Sequence, residues 1–99
     1  MGTITRVIYS VHIAPKAARQ LQKVPRQIVD KLETWVQAVE LEGLEKVRRI
    51  LGYHDEALKG QRSGQRSIRL NKAYRAIYEL KKERCLFFAS IEEVTKHEY

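Results

Sequence analysis

A single cysteine, Cys85, stands in 99 residues, so no intrachain disulfide can form and a cysteine-rich structural zinc site is excluded. No apolar run approaches the ~20 residues that span a bilayer, which argues against a membrane protein. The N-terminus, Met1-Gly2-Thr3-Ile4-Thr5-Arg6, is followed by no uninterrupted apolar stretch of the kind a signal peptide carries. No pair of histidines has metal-ligand spacing, no glycine-rich phosphate loop precedes a helix, and no nucleophile-elbow sequence supports a Ser/His/Asp hydrolase. Internal repeats, linkers and low-complexity segments are missing too, and the length suits one domain over residues 1–99. The expectation is a soluble, reduced, cytoplasmic protein with no metal and no cofactor.

What is present in excess is positive charge. The net charge is +7, and its distribution matters more than its total. Residues 1–58 carry nine Lys/Arg against seven Asp/Glu. Residues 59–84 carry nine (Lys59, Arg62, Arg66, Arg69, Lys72, Arg75, Lys81, Lys82, Arg84) against Glu79 and Glu83 alone. A field concentrated in one quarter of the chain is the footprint of a polyanion binder, although a solvated basic surface has the same composition.

Val7, Tyr9, Val11 and Ile13 alternate with Ile8, Ser10 and His12, which predicts a strand over residues 5–13. Pro15 suits the first turn of a short helix with Ala17, Ala18, Leu21 and Val24 on its apolar stripe. Pro25 ends that helix and opens the next. There Ile28, Val29, Leu32, Trp35, Val36 and Val39 recur at three- and four-residue spacing up to a stop at Gly43, and Trp35 reads as core. Leu44, Val47 and Ile50 suggest one or two further turns, and residues 52–64 read as a loop.

The period then changes to two. Ser67-Ile68-Arg69-Leu70 and Tyr74-Arg75-Ala76-Ile77-Tyr78 predict two strands joined at Asn71-Lys72-Ala73. Leu86-Phe87-Phe88-Ala89-Ser90-Ile91 predicts a third, after a charged turn at Lys81-Lys82-Glu83-Arg84. The fold class is α+β, in the order β-α-α-β-β-β, with helices on one face of a mainly antiparallel sheet.

The hairpin holds a conflict. A three-residue connection at 71–73 sets Arg69 directly opposite Arg75 on one face, and like charges in a cross-strand pair are destabilising. A bound phosphate is the simplest candidate to offset this, because guanidinium forks match its oxygens. A connection one residue longer would shift the register and separate the two. Among the histidines, His12 reads as structural, His54 is uninformative in its loop, and His97 lies near the C-terminus with Tyr99. RNA carries its own nucleophile, the 2′-OH. A carboxylate, two arginines and a His or Tyr then suffice for cleavage without metal, supplying a base, an acid and cations for charge on phosphorus.

Glu56-Ala57-Leu58-Lys59-Gly60, Ser63-Gly64, Ser67-Ile68-Arg69-Leu70, Tyr74-Arg75, Tyr78 and the closing His97-Glu98-Tyr99 together resemble the RelE/ParE toxin superfamily, nearest to its HigB and YoeB branches. The resemblance implies a RelE-like fold and the toxin of a type II toxin–antitoxin pair: a messenger-RNA endonuclease, ribosome-dependent, held inactive by a cognate antitoxin from the adjacent gene. It implies Glu56 as general base, Arg69 as phosphate-stabilising cation, and Arg75 as a second cation or a support. It implies His97 as general acid, Tyr99 orienting or stacking on the RNA, and Lys59 on phosphate. Arg62, Arg66 and Lys72 are the further RNA-binding candidates. The terminus reads His-Glu-Tyr where relatives have adjacent Tyr and His, which leaves the division of roles between His97 and Tyr99 open. The superfamily also holds gyrase inhibitors without the nuclease residues, so a non-catalytic gyrase inhibitor or RNA-binding module is the alternative.

Overall fold

In the computed structural model, which describes residues 8–96, the first element among the described residues is β1 (Val11–Ile13), followed by three helices, α1 (Pro15–Leu21), α2 (Arg26–Glu42) and α3 (Leu44–Val47). β2 (Glu56–Ala57), β3 (Gln65–Arg69), β4 (Tyr74–Glu83) and β5 (Leu86–Lys96) follow. The expected α+β class is what the chain adopts, with a third helix, α3, and the short strand β2 added to the expected order. α2 forms where the apolar stripe predicts it and buries Ile28, Leu32, Trp35 and Val39. Gly43 stops it at φ 87°, a left-handed value that a side chain would strain, and its N–H returns to the Val39 carbonyl at 2.8 Å.

The five strands form one sheet in the order β1-β5-β4-β3-β2, antiparallel except for the parallel pair β1–β5. Ile68, Ala76, Tyr78, Ala89, Ile91 and Val94 from the sheet join the buried α2 and α3 side chains in one core, and Trp35 packs on Tyr78 with ring centroids 5.3 Å apart. Alternation sends Ser67, Arg69, Arg75, Ile77, Glu93 and Thr95 to the opposite face. That second face is the one the site uses.

Several boundaries differ from those the pattern predicts. The first strand shrinks to Val11–Ile13 within the described residues, because the Ile8 carbonyl accepts from Leu44 N–H and does not join the sheet. Ile8 is accordingly buried and Tyr9 half exposed, the reverse of the expected phase. Ala18 is exposed, and Ile50 lies beyond the single turn of α3. The loop over 52–64 contains the short strand β2 and a 3-10 turn at Gly60–Arg62. Of the expected charged turn over 81–84, Lys81, Lys82 and Glu83 are in fact the end of β4. Only Arg84 and Cys85 separate the strands, with Arg84 at φ 58° as a tight hairpin requires.

One irregularity matters for the site. Ile77 pairs with Glu93 and Tyr78 with Ile91, so the register shifts there and Glu92 is left over in β5. α1 covers the disturbance: Gln20 Oε1 accepts the Val94 N–H at 2.7 Å.

Candidate active site

The hairpin register is set locally. Asn71 Oδ1 accepts the backbone N–H groups of both Ala73 and Tyr74 at 2.7 Å, which closes the three-residue connection. Leu70 N–H then reaches the Tyr74 carbonyl at 2.9 Å, and Arg69 and Arg75 become Cα partners, as the three-residue reading expects. Among the described residues neither guanidinium has an acidic partner, and Arg69 Nε and Arg75 Nη1 are buried without a hydrogen bond. Two cations held together in this way present an unfilled set of donors to an anion.

Beside them lies a shallow hollow of about 290 Å³, lined among others by Glu56, Arg62, Ser67, Arg75, Glu93 and Lys96. Glu56 enters it because β2 pairs with β3, Glu56 opposite Ser67 and Ala57 opposite Arg66. The β2 backbone thus brings a carboxylate onto the face that carries the two arginines.

The loop ahead of β2 is fastened from below by Asp55, which the sequence reading passed over. Its side chain is 1% exposed, accepts Arg66 Nε at 2.6 Å and accepts the Tyr78 hydroxyl. Burial, with the hydrogen bond and charge of Asp55 added, drives the Tyr78 phenol far above its ordinary value, so it stays a neutral donor. Arg66 is thereby spent on an ion pair facing away from the hollow, opposite Tyr78 in the register.

The other sequence-selected residues divide. Arg62 lines the hollow but is tied to Glu93 at 3.0 Å and to Gln65 at 3.1 Å. Lys59 is exposed at the start of the 3-10 turn, and Lys72 is exposed in the hairpin connection. His97 and Tyr99 lie outside the described residues; β5 ends at Lys96, which lines the hollow. His12 is exposed and stacks on Phe88 with centroids 4.2 Å apart, far along the sheet from the arginines, and His54 is exposed. The concentrated charge of residues 59–84 is also partly cancelled in space. Arg62, Arg66 and Lys81 each reach an acid outside that segment: Glu93, Asp55 and Glu92. Among the described residues no group of three His, Cys, Asp or Glu side chains gathers at metal-binding distance.

The sequence reading missed Glu93, Thr95 and Lys96. Thr95 is the Cα partner of Arg75, and Glu93 holds both Arg62 and, at 3.8 Å, Lys16. None of the three carries a local signal, since their place depends on the β4–β5 register and its bulge.

No protein-family model and no curated protein matches the chain. Solved structures do. The YafQ structure from E. coli superposes with a TM-score of 0.69 at 13% identity, covering 89% of this chain and 92% of YafQ. The YoeB/ParE toxin from Agrobacterium tumefaciens gives 0.64 at 15%, over 90% of this chain and 99% of that one. The chain has the RelE/ParE toxin fold. The toxin–antitoxin complex RelBE2 from Mycobacterium tuberculosis contains the same fold at 24% identity and a TM-score of 0.59, covering 92% of this chain and all of its counterpart. A toxin fold at such identities is a shared scaffold, and the chemistry has to be argued from the side chains this chain places on it.

Proposed function

We propose that this chain is the toxin of a type II toxin–antitoxin pair and that it cleaves messenger RNA by using the RNA 2′-OH as nucleophile. The observation that carries the reading is the Arg69–Arg75 pair, directly opposed and without acidic partners among the described residues, beside a hollow that Glu56 lines. Phosphate binding alone has no need of a carboxylate there; proton abstraction does.

In the proposed reaction Glu56 takes the 2′-OH proton, O2′ attacks phosphorus, and the bond from phosphorus to the 5′-oxygen breaks. His97 gives the leaving oxygen its proton, so the products are a 2′,3′-cyclic phosphate and a 5′-hydroxyl. Arg69 and Arg75 stabilise the charge that builds on the phosphoryl oxygens. Lys59, Arg62 and Lys72 hold the RNA backbone, while Arg66 serves by fastening Asp55 beneath the site. Tyr99 orients or stacks on the RNA. Every group needed is a side chain of the protein or part of the RNA, which makes the reaction metal-independent.

The ribosome belongs to the proposal as the scaffold that presents the message, and an antitoxin from the neighbouring gene as the inhibitor. A surface this basic is matched by a partner that brings acidic residues or an amphipathic helix, masking the hairpin or displacing the segment from Lys96 onward. The test is induction without the partner gene, with transcript ends mapped. Growth arrest and new ends inside coding regions are expected from wild type and are expected to vanish with Arg69→Ala. Arrest with intact transcripts would instead favour the non-catalytic alternative.

A further inference from the structure

Among the described residues four buried side-chain nitrogen or oxygen atoms lack a hydrogen-bond partner: Trp35 Nε1, Ser67 Oγ, Arg69 Nε and Arg75 Nη1. Trp35 sits in the core. The other three share one face of one hairpin. Ser67 precedes Arg69 by two residues on the same strand, so the two side chains leave the sheet together, and Arg75 stands opposite Arg69. Ser67 also lines the hollow with Arg75, and Glu56 is its Cα partner on the other side.

Ser67 is 2% exposed. A hydroxyl that deep without a partner is a net cost to folding, because water no longer serves it, and alanine at that place would carry no such cost. One unpartnered group is tolerable in any fold. Three on adjacent positions, two of them cations, make up a single preformed set of donors.

We propose that Ser67 is a third donor of the anion site, its hydroxyl hydrogen-bonding a phosphate oxygen held by Arg69 and Arg75. The proposal rests on the reading of the arginine pair as a phosphate site and adds to it a neutral donor at the floor of the hollow. The division of labour follows from the chemistry. The guanidinium groups supply charge, and the hydroxyl, free to rotate toward the oxygen, supplies a neutral hydrogen bond from a fixed position. A neutral donor changes affinity without changing how many counterions are released on binding.

That difference provides the test. Wild type, Ser67→Ala and Arg69→Ala are titrated with a short single-stranded DNA, which keeps the phosphates and offers no 2′-OH for cleavage, at several salt concentrations, and their melting temperatures are measured alongside. Ser67→Ala is expected to bind about tenfold more weakly, the scale of one hydrogen bond to a charged group. Its salt dependence is expected to stay parallel to wild type, and its melting temperature to equal or exceed it. Arg69→Ala is expected to bind more weakly with a shallower salt dependence. Ser67→Cys, which keeps a side chain of similar shape but replaces the hydroxyl with a weaker thiol donor, is expected to fall between wild type and alanine, and it decides the matter if alanine lowers the melting temperature. Unchanged affinity in both Ser67 variants, with Arg69→Ala impaired, overturns the role of Ser67 and leaves the arginine site standing. Equal binding by wild type and Arg69→Ala removes the arginine site itself.

Discussion

Arg69 and Arg75 oppose each other across β3 and β4, with one nitrogen of each guanidinium buried and, among the described residues, unpaired. A cross-strand pair of like charges is unfavourable by part of the ~0.2–1 kcal/mol such pairs are worth, a local cost that a bound phosphate would relieve under the proposed function. Stability and activity should therefore move in opposite directions when either arginine is removed.

Arg69→Ala is expected to melt no lower than wild type while losing at least ~2–3 kcal/mol of transition-state stabilisation, the scale of one preorganised donor. Thermal unfolding and single-turnover cleavage on programmed ribosomes measure the two sides. Cleavage at the wild-type rate would refute the phosphate assignment.

Asn71 touches no substrate in this scheme, yet its two bonds to Ala73 and Tyr74 N–H set the turn that opposes the arginines. Asn71→Ala should cost roughly 1–2 kcal/mol of stability, the net worth of about two hydrogen bonds, and activity should fall with it. A fully active, fully stable alanine variant would mean that the register is held from elsewhere.

Glu56 and Lys59 separate rate from binding. Glu56→Gln keeps the size and removes the base, so cleavage should slow sharply at nearly unchanged RNA affinity. Lys59→Ala should weaken binding and flatten its salt dependence, because one phosphate contact is lost. A glutamine variant that cleaves normally but binds poorly would reassign Glu56 to substrate binding.

The nucleophile can be tested in the substrate. A single 2′-deoxy sugar at the cut site should block cleavage while leaving binding intact, and normal products should carry a 2′,3′-cyclic or 3′-phosphate. Cleavage should also survive EDTA once controlled Mg²⁺ keeps the ribosome whole. A 3′-hydroxyl product would mean that water attacks instead.

Tyr78 gives a pH signature. Burial and Asp55 raise its pKa in the folded protein, whereas the unfolded chain ionises it near the ordinary value of about 10. The stability it contributes is fully present below about pH 10 and is lost as pH climbs from there toward the folded value, because only the unfolded state then gains by releasing the proton. Tyr78→Phe should be less stable at neutral pH, with Asp55 left to Arg66 alone, and should show a shallower alkaline decline. Denaturant melts between pH 7 and pH 11 are the measurement. An identical decline in both proteins would place the alkaline sensitivity elsewhere.

By itself the sequence determined what short-range interactions decide. The stripe of Ile28, Leu32, Trp35 and Val39 specifies α2, and Gly43 supplies the left-handed residue that ends it. Asn71 caps the three-residue connection, one of the two registers the sequence allowed, and so opposes Arg69 and Arg75; the cationic half of the candidate site was legible within a few residues of chain. Tertiary structure decided whatever needed a distant partner. Glu56-Ala57 has no strand pattern and becomes β2 only because β3 offers an unpaired edge; that pairing, not the local sequence, brings Glu56 to the hollow. The bulge at Ile77 and Tyr78 places Glu93 and Thr95, and Asp55 withdraws Arg66 across 11 residues. A charge count sees nine cations within residues 59–84, but cannot see which of them an acid from elsewhere in the fold has already taken. Nor can it see that Ser67 is buried, because burial of one face of a strand depends on everything folded around it.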